Sequence, residues 1–243
     1  MGSGAAPAWL GPPAAFWRTL MSIDPIRHLV VLAHPQAGSF NHQIAKVYCD
    51  TVHACGQVPV LRDLYALRFD PILETIPEPP ELAVLYDLTE IRHCDALVFV
   101  YPIWFGLPPA MIKGYVDRVL GAGFKPNREH LRADDRFLAG RHMLSFSTSA
   151  SSETWLAEVG QSIALREAFD RYLATVFGLA DTEHVHIDSI VEGLNAAYAE
   201  AQLERVRETA RATCARLLDA SRRLEAAGAV ARHAAKAPLR MST

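Results

Sequence analysis

No two of the four cysteines stand as a CxxC pair; Cys49, Cys55, Cys94 and Cys214 are scattered along the chain. This spacing gives no zinc-ribbon or thioredoxin-type signature and reads as reduced thiols of a cytoplasmic protein. Basic residues are not in excess: 24 Lys and Arg face 27 Asp and Glu, for a net charge of -3. Without a basic footprint, nucleic acid is excluded as the main partner. Long apolar runs are also missing, each far short of the ~20 residues that a helix needs to cross a bilayer, so no membrane insertion is expected. His184 and His186 stand two apart but lack further ligands at metal spacing, and no metal site is expected.

What is present suits one full-sized domain: 243 residues, half of them hydrophobic. Residues 1–21 (MGSGAAPAWLGPPAAFWRTLM) differ from the rest in being rich in Ala, Pro and Gly, with Arg18 as the sole charge. Pro7, Pro12 and Pro13 interrupt the apolar stretch and no basic residue precedes it, unlike a signal peptide. A disordered extension is expected there, with Met21 a candidate start, then a domain over 22–228 and a loose tail over 229–243.

Strands and helices alternate along the domain. Apolar runs at 28–33 (HLVVLA), 58–61, 96–101, 142–147 (HMLSFS) and 183–188 (EHVHID) read as five strands. Helices are expected at 41–55, 81–93, 109–120, 162–177 and from 195 onward, with a proline-rich loop at 71–80. On the last helix a stripe of Leu203, Val206, Ala210, Thr213, Leu217, Ala220 and Leu224 predicts a face packed on the sheet. The pattern predicts an α/β fold with a doubly wound, five-stranded parallel sheet covered by helices on both faces. Such sheets bind ligands beyond the carboxyl ends of their strands, which directs attention to the loops after strands one, three and four.

The first loop, residues 33–41 (AHPQAGSFN), is neither a GxGxxG fingerprint nor a Walker loop. Gly38, Ser39 and Asn41 lie where the chain enters a helix, so they either cap that helix or present its unpaired N–H groups to a phosphate. His34 stands beside them, where a positive charge would favour an anion. The third loop, within 100–118 (VYPIWFGLPPAMIKGYVDR), places Trp104 and Phe105 between Pro102 and the pair Pro108 and Pro109. Proline lacks an N–H and fixes φ, so the N–H groups of residues 103–106 are expected to be free while the two rings offer a flat apolar surface. An isoalloxazine suits such a wall; packing into the core or a subunit contact is the other use. The fourth loop, residues 147–152 (STSASS), supplies hydroxyls and small residues that admit close backbone approach.

Taken in order, HLVVLAHPQAGSFN, RDLYALRFDPIL and CDALVFVYPIWFGLPPAMIKGYVDRVLGAGF resemble the flavodoxin-like NAD(P)H:quinone oxidoreductases of the DT-diaphorase type and their bacterial relatives. The resemblance implies a flavin enzyme that passes two electrons from NADH or NADPH to quinone-like acceptors by ping-pong kinetics. It also implies a homodimer with sites at the subunit boundary. FAD is the favoured cofactor from the first loop, with FMN as the alternative. Position by position, His34, Ser39, Phe40 and Asn41 would meet the phosphates and adenosine side. Pro102, Ile103, Trp104 and Phe105 would cradle the ring, and Thr148, Ser149 and Ala150 would flank its pyrimidine edge. The helix of Lys113, Asp117 and Arg118 would lie near the dimer contact, although Lys113 and Asp117 are also spaced as a helix-surface pair.

This chain departs from that family in three places. Ser149 and Ala150 replace two glycines. Trp155 stands near the position of a tyrosine beside the flavin, with no accompanying histidine, and is the one weak candidate for a catalytic role. After GAGF, residues 125–128 (KPNR) replace substrate-side tyrosines. An azo- or nitro-reductase of the same fold is the near alternative. A one-electron flavodoxin-type carrier and a regulatory subunit of a potassium-efflux system are the non-catalytic ones.

Overall fold

A computed structural model describes residues 25–75, 80–123 and 138–235, with no side-chain account at 225 and 227–235. The expected extension over 1–21, the segment 125–128 and the tail beyond 235 lie outside the described residues.

The first strand, β1 (Arg27–Leu32, RHLVVL), is buried at every position after Arg27. Side chains alternate across a strand, and here both faces are apolar, so both must be covered. Leu29, Val31 and Ala33 enter one core, while Val30 and Leu32 enter the other. The same holds for β3 (Ala96–Pro102) and β4 (His142–Thr148), each buried throughout. With β2 (Val58–Asp63) and β5 (Asp181–Ile187) they form one sheet in the order β2-β1-β3-β4-β5. All four pairings are parallel.

Helices cover the two faces unequally. One core takes Phe40, Ile44, Tyr48 and Val52 of α1 (Phe40–Ala54) with Leu203, Val206, Ala210 and Cys214 of the long α8 (Ala196–Ala235). The other takes α2 (Leu82–His93), α3 (Ala110–Tyr115) with the π turn Val116–Leu120 that extends it through α4 (Gly121–Gly123), and the helical stretch 161–177. The chain steps outward from β1 to β2 and then back across β1 to β3. The first crossover helix and the second therefore lie on opposite faces, and a crevice opens between the loops that follow β1 and β3.

The structure divides the expected helix at 162–177 into α6 (Gln161–Leu165), a π turn (Arg166–Arg171) and α7 (Tyr172–Phe177), and adds a short α5 (Glu153–Glu158) before it. The long helix continues through Ala235, past the expected start of the tail. Its predicted stripe is buried at Leu203, Val206, Ala210 and Thr213 and partly at Leu217, whereas Ala220 and Leu224 are exposed. Packing ends where α1 and the sheet edge end. Gln57 donates to the Cys214 carbonyl at 2.9 Å, and Arg216 pairs with Asp181 and Glu183 of β5 at 2.9 and 2.7 Å, fixing the helix to the sheet.

Candidate functional site

An open cleft of about 710 Å³ lies beyond the carboxyl ends of β1, β3, β4 and β5. That size falls within the roughly 300–1,000 Å³ usual for small-molecule sites. His34, Ser39, Phe40, Asn41, Pro102, Ile103, Trp104, Thr148, Ser149 and Ala150 line it. Three separate loops of the sequence are thus brought to one wall. A smaller cavity of about 290 Å³ opens between Ile72, Leu73 and Arg118, away from these loops.

Thr148 ties the wall together. Its Oγ1 accepts from Asn41 Nδ2 at 2.9 Å, and its carbonyl accepts the Ile103 N–H at 2.7 Å. The Ser149 N–H donates to Ile187 O and its carbonyl accepts from Ile190, which adds the loop after β5. Asn41 Oδ1 is buried among the described residues without a partner. A buried acceptor left unpaired is costly unless a ligand or water satisfies it.

At the head of α1, Ser39 is the N-cap and its Oγ accepts from the His42 N–H at 3.4 Å. The Phe40 and Asn41 N–H groups have no partner among the described residues. Gly38 precedes them at φ 75, a left-handed conformation that glycine adopts without a Cβ penalty. The helix end therefore keeps its positive dipole and two donors exposed to the cleft. His34 differs from expectation: burial lowers its pKa, so it is neutral at pH 7, and nearby His42 lowers it further. Its Nδ1 lies 3.1 Å from the Gln36 N–H and 3.3 Å from the Gln36 carbonyl, so the ring is held by the first loop's own backbone.

The loop after β3 also differs. The Ile103 N–H is bonded to Thr148, and Trp104 pairs with Leu107 in a two-residue hairpin, with N···O distances of 3.0 and 3.2 Å. Phe105 and Gly106, at φ 50 and 85, form its tip, both left-handed as in a type I′ turn. Free N–H groups are thus confined to the tip rather than spread over 103–106. The Gly106 carbonyl accepts from Gln161 Nε2 at 2.5 Å, which anchors the hairpin to α6. Trp104 stays at the cleft edge, 6.4 Å from the His34 ring. Phe105 is fully exposed and is not among the residues that line the cleft. Trp155 is half-exposed and lines neither the cleft nor the crevice beside it.

Residues 190–194 after β5 also line the cleft and were not foreseen, although they too follow the carboxyl end of a strand. Gln36 and Gln43 join the wall from the first loop and α1. Lys113 and Asp117 form the expected i, i+4 pair, and Arg118 bonds Glu81 at 2.7 Å. Burial raises the thiols of Cys49, Cys94 and Cys214 to about 12, so none of these three is poised as a nucleophile. Among the described residues there is no group of side chains set to hold a metal, and no helix is long and apolar enough to cross a membrane.

Comparison with known proteins places these features in a family. An uncharacterized NAD(P)H oxidoreductase of Haemophilus influenzae is 30% identical over 165 residues, covering 65% of this chain and 81% of that protein. NAD(P)H dehydrogenase [quinone] 1 of Cavia porcellus is 28% identical over 153 residues, covering 53% of this chain; the match spans 55% of that relative's length. Among solved structures, the NAD(P)H:quinone oxidoreductase from Methanothermobacter marburgensis superposes with a TM-score of 0.65 at 21% identity, over 77% of this chain and 95% of that one. The family model described as having a flavodoxin-like fold matches residues 26–213, and with the parallel order β2-β1-β3-β4-β5 this establishes that the chain belongs to that family.

Proposed function

We propose that the chain is a flavin-dependent oxidoreductase that passes two electrons from NADH or NADPH to quinone-like acceptors. The observation that carries this reading is the joining of three loops at Thr148 into one cleft with a helix N-terminus at one end and Trp104 at the other. The residues present fit a flavin. The Phe40 and Asn41 N–H groups would hold a phosphate, and the Thr148 hydroxyl and the Ala150 N–H would face the polar edge of the ring. FAD is favoured by the likeness of the first loop to the diaphorase branch.

A bound flavin would supply the hydride chemistry, taking hydride from the nicotinamide and giving it to the acceptor. The chain's part is orientation and electrostatics. Pro102 ends β3, and the hairpin tied to Thr148 and Gln161 holds Trp104 at the open edge. Burial holds the His34 pKa down, so the ring adds little charge to the helix end. The H. influenzae relative's description as an NAD(P)H oxidoreductase supports the donor class.

The rim also supports a homodimer. Phe105, Leu107 and Ile163 are exposed large apolar groups on the hairpin and on α6, to which it is bonded. One pocket serving donor and acceptor in turn gives parallel double-reciprocal lines when both are varied. Intersecting lines contradict the single-pocket scheme, and no oxidation of either nicotinamide in the presence of a quinone contradicts the assigned reaction.

A further inference from the structure

Behind the cleft wall, a line of polar side chains runs along one face of the sheet. Ser145 Oγ donates to Asp170 Oδ1 at 2.8 Å, and Asp170 Oδ2 meets His184 Nδ1 at 2.5 Å. His184 Nε2 meets Ser147 Oγ at 2.7 Å, and Ser147 Oγ meets His186 Nδ1 at 2.8 Å. His186 Nε2 meets Ser149 Oγ at 3.0 Å, and Ser149 Oγ donates to Ser151 O at 2.7 Å. Ser145 and Ser147 alternate along β4 and Ser149 follows its last residue in the same period, while His184 and His186 alternate along the neighbouring β5. The period-2 geometry of paired strands stacks all five on one face. Asp170 arrives from the π turn Arg166–Arg171; such turns occur often at functional sites.

The direction of every bond follows from its cleft end. A hydroxyl has one proton, and that of Ser149 is given to the Ser151 carbonyl, so Ser149 Oγ accepts from His186 Nε2–H. Burial and nearby His184 push the His186 pKa down to about 4, so at pH 7 this ring is neutral and its Nδ1 is an acceptor. Ser147 therefore donates to His186 and must accept from His184 Nε2–H. That leaves one further proton between His184 Nδ1 and Asp170 Oδ2. The His184 and Asp170 side chains are 6% and 5% exposed, and one proton shared between them would leave this buried pair without net charge.

We infer that Asp170, His184, Ser147 and His186 form a directional chain that stores one proton and delivers it through Ser149 to a base generated in the cleft. The delivery balances in four transfers. The Ser149 hydroxyl turns from Ser151 O and gives its proton to the base, for which the oxygen of a reduced quinone-like acceptor is the candidate. His186 Nε2–H replaces it, Ser147 protonates His186 Nδ1, and His184 Nε2–H restores Ser147. The chain then carries one negative charge centred on Asp170, with His184 Nδ1–H bonded to it. A proton from solvent resets it.

The surroundings suit both states. Besides His184, the charged groups around His186 are Arg166 of the π turn, Arg205 of α8 and Asp188 at the end of β5. The two arginines oppose a lasting positive charge on His186 and balance the negative charge left after delivery. A crevice lined by Ser162, Arg166, His184 and His186, with about 10 Å³ of space, is near the lower limit for one water and offers the reset route. The chain's purpose rests on the proposed flavin chemistry; its protonation pattern does not.

Nitrogen-15 NMR of histidine-labelled full-length protein, without added substrates, reads the ring nitrogens. The expected result at pH 7 is a neutral Nε2–H tautomer for His186, a protonated Nε2 on His184 and a strongly low-field proton between His184 and Asp170. An Nδ1–H tautomer for His186, or a bare His184 Nε2, overturns the chain. His186→Gln then tests delivery, because glutamine keeps a donor towards Ser149 and an acceptor towards Ser147 but cannot pass a proton on. Turnover with a quinone is expected to fall roughly 10- to 100-fold, up to the lower range of general acid–base effects. The KM should stay within about twofold, and added imidazole should restore part of the rate. Unchanged turnover, or a loss that imidazole does not relieve, overturns delivery. A protein that takes up no flavin overturns the proposed function and delivery with it, while the nitrogen spectrum still decides whether the stored proton exists.

Discussion

Asn41 shows how much one side chain carries in this wall. Its amide donates to Thr148 while its oxygen is buried without a partner among the described residues. Asn41→Leu leaves the Thr148 hydroxyl without its donor, and we expect a loss of about 1–3 kcal/mol in urea unfolding. The same variant is expected to retain flavin less well, measured by equilibrium dialysis. The position of Asn41 was legible because a strand-loop-helix boundary is written in local sequence. The neutral state of His34 was not, because burial by distant loops sets it. The exposure of Phe105 was hidden for a related reason. Its neighbours suggested a ring in the cleft, but the left-handed hairpin tip turns it outward.

At the scale of elements, that hairpin is the most constrained feature of the site. Gly106 has φ 85, and a Cβ there would meet Gln161 Oε1 at 2.6 Å. Gly106→Ala should therefore cost roughly 1–2 kcal/mol from the left-handed conformation alone. It should also loosen the bond from Gln161 to the Gly106 carbonyl. Thermal melting checks the first effect, and proteolysis near residue 106 checks the second. The strands and their parallel order were readable because continuous apolar runs demand cover on both faces. The π turns were not, since a π turn keeps a helical pattern of side chains and differs by one inserted residue. Asp170 therefore read as an ordinary helix position, and its approach to His184 across 14 residues depended on the fold.

For the whole molecule, buried neutral histidines set the acid limit of stability. His186 titrates at about 4 in the folded chain, mainly because it is desolvated, and burial also lowers His28 and His142. Folded values below the unfolded 6.5 mean that the unfolded chain binds protons first as pH falls. Stability is thus complete above about pH 6.5 and declines towards pH 4, where the His186 contribution is exhausted. Between pH 7 and 5 that one residue accounts for roughly 1–2 kcal/mol, discounted for partial exposure. Urea midpoints at the two pH values give the check, and His186→Gln should reduce the difference. Assembly is tested separately by light scattering, where the exposed rim around Phe105 predicts twice the mass of one chain.

The most direct test of the account is the absorbance spectrum of the purified protein under anaerobic titration with NADH and NADPH, followed by identification of the released cofactor. The account predicts a flavin spectrum that bleaches with at least one donor and recovers when a quinone is added. A colourless protein that takes up neither FAD nor FMN, or a bound flavin that neither donor reduces, would contradict it.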